Sequence, residues 1–289
     1  MEALSRNLGS RAANRRAEIL RDLRTRLREH EVLTYASAIA FQCLIGAAAV
    51  VFLGIALLRP LGLETVWSDH VSPALEGRLP EPIYRAIAYA ERTVTSHSGT
   101  GLLLFALVIV VWEVSGAIRA MMSALDRIHG GEDEPRGFAE RFVVSVCLSV
   151  VVSLLLLGAI FTGFAGSALP GWPSGTGGTL LRLLSSTVLV WAAVTVVLAV
   201  APSRRRGRLR WVSAGSALTV VGWILASVGF RFYIASVVSF GSPEGVLATV
   251  LLTTGYLYVC AAIFLLGAEL DDILIAGQGN PVRGTVQQD

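Results

Sequence analysis

The sequence predicts an all-α membrane protein with six transmembrane helices and with both termini in the cytoplasm. Three observations lead to this fold class. The 289 residues are 54% hydrophobic and only 16% charged, whereas about a quarter of the residues in a soluble domain are charged. Six mostly apolar stretches are each long enough to cross roughly 30 Å of hydrocarbon. Arginines are concentrated in alternate connections between these stretches, which predicts the orientation of the bundle.

The predicted spans divide the chain into a transmembrane domain, residues 35–270, and two polar ends, residues 1–34 and 271–289. Most of the spans contain no charged residue, so every side of such a helix can face lipid or another apolar helix. They are too long, and too uniformly apolar, for the alternating strands of a membrane barrel. The spans are predicted at residues 35–58, 99–118, 142–169, 183–201, 211–230 and 245–268.

The positions of the basic residues predict which side of the membrane each connection occupies. Every basic residue in the chain is an arginine. Arginines on the side that holds residues 1–34 and 271–289 outnumber those on the other side by about three to one, and such an excess marks the cytoplasmic side.

The segment before the first span has the spacing of a basic amphipathic helix. Its apolar residues Ile19, Leu20, Leu23 and Leu27 repeat between arginines over residues 11–30. One interpretation places this helix along the inner leaflet, bound to anionic lipid. In the other, it packs on the cytoplasmic loops of the bundle.

The outer connection, residues 59–98, is the longest in the chain and contains a second amphipathic pattern. Ile83, Ile87, Ala90 and Val94 fall on one face of a helix. This pattern predicts a helix that lies on the outer surface or caps the bundle.

Three stretches of the sequence resemble the YihY/BrkB family of bacterial inner-membrane proteins. They are LTYASAIAF at residues 33–41, the segment at residues 112–142 that begins WEVSGAIRAMM, and residues 211–270. The most specific features are Ser115, Gly116 and Arg119 in a Ser-Gly-x-x-Arg pattern, the Tyr-Leu-Tyr stretch that ends at Tyr258, and the sequence LGAEL at Leu266–Leu270.

The resemblance implies six helices in a bacterial inner membrane with cytoplasmic ends, in agreement with the arginine distribution. It implies no catalytic residues, since members carry labels as different as ribonuclease BN, virulence factor, envelope-integrity protein and transporter. The chain also departs from the family pattern. Gln42 and small residues stand where an aromatic residue and a proline are usual, Glu113 replaces a small residue, and Glu244 replaces a tyrosine.

Enzyme chemistry finds little support in the sequence. Metal-dependent hydrolysis of RNA requires clustered histidine and acidic ligands, and the four histidines are isolated from one another: His30, His70, His97 and His129. GxSxG, HExxH and Walker motifs are absent from the sequence. We therefore predict no enzymatic activity, no catalytic residue, no metal, no cofactor and no nucleic-acid partner.

A candidate intramembrane polar site consists of Glu113, Gln42, Ser115 and Tyr258. Glu113 is predicted about 8 Å from the cytoplasmic end of the second span, and Gln42 about 10 Å into the first. Because these depths are similar, we expect a hydrogen bond between the two side chains. In a functional interpretation Glu113 binds a proton or a cation in a transport pathway; in a structural one it is a polar contact between helices or an acid at the interface.

A candidate cytoplasmic latch consists of Arg119, Glu269, Asp271 and Asp272. Arg119 lies about 240° around its helix from Glu113, so we expect its side chain to extend to the lipid headgroups. The three acids end the last span, where they oppose the helix dipole and need partners. Arginines of residues 204–210 are one source of such partners, and the acids form either a structural latch or a substrate site.

Transport of a small solute or of an envelope lipid is the function that these features predict. The alternative is a protein that maintains the envelope or acts as a scaffold without transporting anything. The predicted partners are membrane lipids, with anionic lipid at the N-terminal helix, and a second copy of the chain in a homo-oligomer.

Overall fold

The computed structural model describes most of the apolar part of the chain. The described residues are 21–23, 25–58, 60, 62, 65, 67–76, 81–96, 100–130, 137–164, 175–203, 213–237 and 244–278. They form helices and turns, and none of these residues belongs to a β-strand. Residues 11–20 of the predicted amphipathic helix, and the arginines of residues 204–210, lie outside the described residues.

After the helical residues 21–23 and 25–29, eight α-helices and one π-helical turn follow one another through the described residues. The π-helical turn is Trp67–Val71. The α-helices are α1, Val32–Leu58; α2, Ser72–Glu76; α3, Glu81–Ser96; α4, Thr100–His129; α5, Phe138–Phe164; α6, Gly175–Val200; α7, Ala214–Val237; and α8, Glu244–Gln278.

Six of these helices, α1 and α4 to α8, are long and apolar enough to cross a membrane. The predicted fold class, an all-α polytopic bundle with six spans, is therefore confirmed. Two helices extend about three turns beyond the predicted span limits: α4 continues past Ile118 to His129, and α8 continues past Ala268 to Gln278. Residues 119–129 are helical because Met122, Leu125 and Ile128 are buried against the rest of the bundle.

The spans alternate in direction, so that α1, α5 and α7 begin at the same end of the bundle where α4, α6 and α8 end. Side-chain contacts tie these termini together: Asp126 at the end of α4 contacts Ser203 after α6, and Asp271 near the end of α8 contacts Gly215 at the start of α7. We call this end the charged end.

The main core lies in the half of the bundle nearest the charged end. Helix α1 packs against α4 and α8, α7 packs against α8, and α5 packs against both α4 and α6. The most deeply buried apolar side chains of this core come from α1, α4 and α8: Ile39, Met122, Leu125 and Leu265.

A smaller core at the opposite end explains the position of α3. Val94 of α3 is buried with Ile55 of α1 and Ala106 of α4, and Ile87 and Ala90 pack against this cluster. The apolar pattern of the outer connection therefore forms the predicted helix, and this helix caps the bundle.

The outer surface of the spans is apolar, as lipid-facing helices require. Large side chains such as Val108, Leu154, Leu184 and Leu225 are more than half exposed. A soluble monomer rarely exposes contiguous apolar surface of this extent, so hydrocarbon is the solvent that suits these helices.

Glycines allow α7 and α8 to approach closely near the charged end. A Cβ atom on Gly215 would overlap the carbonyl oxygen of Gly267, and a Cβ atom on Gly267 would lie 2.6 Å from the carbonyl oxygen of Gly215. Further along the same contact, a Cβ atom on Gly222 would lie 2.6 Å from Cγ2 of Ile263. Small residues at such crossings let helices pack closely in lipid.

We predict that Gly215→Ala destabilises the bundle by about 1–3 kcal/mol, the usual cost of forcing extra atoms into a packed contact. Gly229→Ala is the matched control, because the space around Gly229 on the same helix is open to 4 Å. Thermal unfolding in detergent should show a lower midpoint for Gly215→Ala and an unchanged or higher midpoint for Gly229→Ala. Equal midpoints for the two variants would contradict the close contact.

Candidate functional site

A hydrogen bond between α1 and α4 joins the two polar side chains expected to meet inside the membrane. Gln42 Nε2 donates to Glu113 Oε2 at 2.6 Å and to the carbonyl oxygen of Glu113 at 3.2 Å. The predicted hydrogen bond is thus confirmed. Gly116 makes room for the amide, because a Cβ atom there would lie 2.5 Å from Gln42 Nε2.

Arg119 turns back along α4, away from the charged end. Its Nη1 donates to Ser115 Oγ at 2.8 Å, and its Nη2 donates to the carbonyl oxygen of Trp112 at 3.5 Å. The guanidinium carbon also lies 5.3 Å from the centre of the Trp112 ring and 5.6 Å from that of Phe142. Side chains on a helix lean towards its N-terminus, and here the guanidinium contacts Ser115 and two aromatic rings.

This geometry corrects two predictions about Arg119. The side chain does not extend towards the end of α4, and its hydrogen-bond partners are not the latch acids Glu269, Asp271 and Asp272. Its hydrogen-bond partners instead connect it to Ser115, one turn earlier on the same helix. Cation–π contacts with two rings supply further stabilisation for a guanidinium in apolar surroundings.

Four polar residues share one face of α4 and lead from the middle of the helix to the charged end. We call Ser115, Arg119, Ser123 and Asp126 the α4 track, since their spacing of four, four and three residues places them on one side of a helix. Ser123 Oγ donates to the carbonyl oxygen of Arg119 at 3.0 Å. Arg141 of α5 donates from Nη2 to Ser123 Oγ at 2.6 Å and lies 4.0 Å from Asp126 Oδ2.

Asp126 is a polar residue of the site that the sequence analysis missed. It is buried, and its two carboxylate oxygens accept hydrogen bonds from Ser203 N at 2.6 Å and Ser203 Oγ at 3.0 Å. Its carboxylate therefore fixes the end of α6 to the end of α4. The helical spacing of Met122, Leu125 and Ile128 was the signal that α4 continues this far.

The acids at the end of α8 bind partners from two other parts of the chain. His30 Nδ1 lies 2.5 Å from Glu269 Oε1, and Arg26 Nη1 donates to Asp272 Oδ2 at 2.7 Å. Asp271 accepts a hydrogen bond from Gly215 N at 2.8 Å. We call the pairs His30–Glu269 and Arg26–Asp272 the terminal latch.

The terminal latch explains how Glu269 and Asp272 can be almost completely buried, at 0% and 1% exposure. A buried carboxylate is tolerated when a cation or a hydrogen-bond donor accompanies it. Burial by itself would lower the pKa of Arg26, but Asp272, Asp22 and Glu269 outweigh burial and raise this pKa. Arg26 therefore remains charged at every physiological pH.

The segment before α1 packs on the bundle through the same contacts. Residues 21–23 and 25–29 are helical, and Leu27 packs against the main core. Glu31 has a positive φ of 51° and separates this helical segment from α1. Within the described residues, the segment contacts the last turns of α8 through Arg26 and His30.

The four residues of the candidate intramembrane site are only partly brought together. Gln42 binds Glu113, and Ser115 binds Arg119. Tyr258 packs against the main core and makes no hydrogen bond to the other three in the described part of the chain. Among the described residues, no three His, Cys, Asp or Glu side chains are placed to hold a metal ion.

Six apolar helices around an internal network of polar and charged side chains define a polytopic helical membrane protein. Within this class the chain belongs to the virulence factor BrkB family, whose sequence model matches residues 23–282. The resemblance inferred from the sequence motifs is therefore confirmed.

Two curated relatives cover most of this chain. A Bacillus subtilis (strain 168) protein named "Putative ribonuclease-like protein YfkH" is 22% identical over 268 residues, which make up 88% of this chain and 94% of that protein. The UPF0761 membrane protein Mpe_A1422 of Methylibium petroleiphilum is 25% identical over 259 residues, 88% of this chain but 61% of that protein. No solved structure matches the chain.

We predict that Arg26→Gln destabilises the bundle, because it removes the cation next to the buried carboxylate of Asp272. A loss of about 1–3 kcal/mol is expected for a charged hydrogen bond to a buried group, at the low end because a quarter of the Arg26 side chain is exposed. Thermal unfolding in detergent measures the loss.

Arg28→Gln is the matched control, since Arg28 is an exposed arginine of the same helical segment. It should leave the midpoint unchanged. If the two substitutions shift the midpoint equally, the terminal latch does not stabilise the fold.

Proposed function

We propose that the chain transports a small solute or an envelope lipid across a bacterial inner membrane, with both termini in the cytoplasm. The α4 track is the observation that carries this proposal. It places Ser115, Arg119, Ser123 and Asp126 along one face of a membrane span, over about 16 Å of helix. The track begins at the charged end and approaches the level of Glu113.

The cost of charge in hydrocarbon supports a functional interpretation of this arrangement. A charged side chain at the centre of the bilayer costs about 2.5–3.5 kcal/mol on insertion scales, so such residues commonly mark substrate or ion pathways. Glu113 and Arg119 both lie within the span formed by α4. A closed apolar bundle would fold without either of them.

The hydrogen-bond partner of Glu113 is compatible with a proton or cation site. Its partner is the neutral amide of Gln42, so protonation of the carboxyl would break no ion pair. The terminal latch differs, since Arg26 there is charged. We therefore propose Glu113 as the proton or cation site of the pathway.

A scaffold without transport is the second candidate function, and specific contacts favour it. Gln42 donates two hydrogen bonds to Glu113, which closes the contact between α1 and α4. The terminal latch and the close approach of Gly215 to Gly267 fasten α8 to its neighbours. In this function Glu113 would hold helices together and would never meet water.

We propose transport in preference to RNA hydrolysis, although the name of the Bacillus subtilis relative refers to ribonucleases. The buried carboxylates at the charged end bind separate protein partners: Asp126 binds Ser203, Glu269 binds His30, and Asp272 binds Arg26. Each carboxylate thus has a structural contact of its own, whereas a metal-dependent nuclease directs several of them at the same ions.

Transport can be measured after the purified chain is reconstituted into vesicles. Dithionite reduction of a fluorescent (NBD-labelled) phosphatidylglycerol reports lipid movement, and light scattering after an osmotic step with potassium phosphate reports solute movement. We expect the chain to accelerate one of these signals over protein-free vesicles, with a rate that depends on pH. Glu113→Gln should remove the pH dependence, because the amide cannot take up the proton.

Glu76→Gln is the control, since Glu76 is exposed on α2 outside the spans. It should keep the rate and the pH dependence of the unaltered chain. Rates equal to those of protein-free vesicles with both probes would contradict transport and favour the scaffold.

A further inference from the structure

We propose that Arg119 and Arg141 form a binding site for the phosphate group of an anionic lipid, on the surface between α4 and α5. This site deepens the proposed function by naming the substrate class, and it rests on that function only for the step of transport. Binding of the lipid can be measured without any transport assay.

Ser123 links the side chain of Arg141 to the backbone of Arg119. Arg141 donates to Ser123 Oγ at 2.6 Å, and Ser123 Oγ donates to the carbonyl oxygen of Arg119 at 3.0 Å. The guanidinium of Arg119 also lies 5.6 Å from the ring of Phe142, the residue next to Arg141. The two guanidinium groups also lie close enough for their charges to repel each other, so both border one patch between α4 and α5.

The protein compensates the two positive charges only in part. Within the described residues, no carboxylate lies within 4.0 Å of Arg119, whose acceptors are Ser115 Oγ and the carbonyl oxygen of Trp112. Arg141 has Asp126 at 4.0 Å, but both oxygens of that carboxylate also accept hydrogen bonds from Ser203.

Glu113 attracts Arg119 electrostatically, but its carboxylate accepts its hydrogen bond from Gln42. A guanidinium has five N–H donors, and Arg119 uses only two of its nitrogens as donors to protein atoms. An anion with several oxygens, such as a phosphate, can accept the remaining bonds in the bidentate geometry that arginine favours.

The patch opens to the lipid-facing surface of the bundle. Trp112 is 58% exposed and Phe138 is 85% exposed, and 27% of the Arg141 side chain is accessible. Aromatic side chains of this kind occur at the level of the headgroups. Arg119 lies one helical turn from Ser123, about 6 Å further into the span.

The apolar surface next to the patch favours a lipid over a soluble phosphate. Val108 and Phe105 lie one and two turns before Trp112 on the same side of α4, and both are more than half exposed. Acyl chains would cover this surface while the phosphate binds the arginines. A soluble phosphate compound would leave it unused.

Native mass spectrometry of the full-length purified chain in detergent can test the site. The probes are dioleoyl phosphatidylglycerol and dioleoyl phosphatidylcholine, whose choline group neutralises the phosphate charge. We expect the chain to bind phosphatidylglycerol more tightly. Arg119→Gln and Arg141→Gln should each weaken that binding about tenfold, the effect of losing a charge-assisted hydrogen bond.

Two further variants keep the test independent of folding. Arg119→Lys retains the charge but not the planar donors, so it should weaken binding less than Arg119→Gln does. Arg182→Gln removes a span arginine at the opposite end of the bundle, where Arg182 donates to Thr179 Oγ1, and it should leave lipid binding unchanged.

Equal binding of the two lipids, or tight binding of phosphatidylglycerol to a chain that carries both Gln substitutions, would overturn the site. Displacement of the lipid by inorganic phosphate at an equal concentration would overturn the choice of a lipid and indicate a soluble phosphate compound. Selective lipid binding without flux in vesicles would support the site and contradict only the proposed transport. Flux without selective lipid binding would support the proposed transport and contradict the site.

Discussion

The compensation of charge inside an apolar bundle determines where the polar residues of this protein can lie. Hydrocarbon offers no water to a charged group, so each such group must bind another part of the chain or a lipid. At the charged end the compensation comes from the protein itself. Glu269 binds His30, Asp272 binds Arg26, and Asp126 binds Ser203. These contacts also join the ends of four helices, so the pairing of charges and the packing of the bundle depend on each other.

Further into the membrane, the same requirement is met in two different ways. Glu113 binds a neutral amide, the side chain of Gln42. Arg119 binds a hydroxyl, a carbonyl oxygen and two aromatic rings, and none of these partners carries a negative charge. The acid of the proposed proton or cation site and the arginine of the proposed lipid site thus lie within two turns of one span. We regard this combination as the chemical centre of the protein.

The sequence predicted the spans, the cap formed by α3 and the contact of Gln42 with Glu113, because hydropathy and helical depth decide these features locally. It did not predict the direction of Arg119, which depends on Phe142 from another helix. The partners of Glu269 and Asp272 lie more than 200 residues away in the chain, so no local pattern could reveal them. The continuation of α4 to His129 was not predicted, because Arg119 interrupts the continuous apolar run after Ile118.

The central claim is that a polar path along the α4 track opens at the charged end. Measuring the access of water to this track tests the claim most directly. In a chain whose three cysteines, Cys43, Cys147 and Cys260, are replaced by serine, Ser123→Cys and Val108→Cys can each be exposed to a membrane-impermeant maleimide in vesicles of either orientation. We expect Ser123→Cys to react only from the cytoplasmic side and Val108→Cys, which faces lipid, to react from neither. Reaction of Ser123→Cys from the periplasmic side, or no faster than Val108→Cys, would contradict a polar path that opens at the charged end.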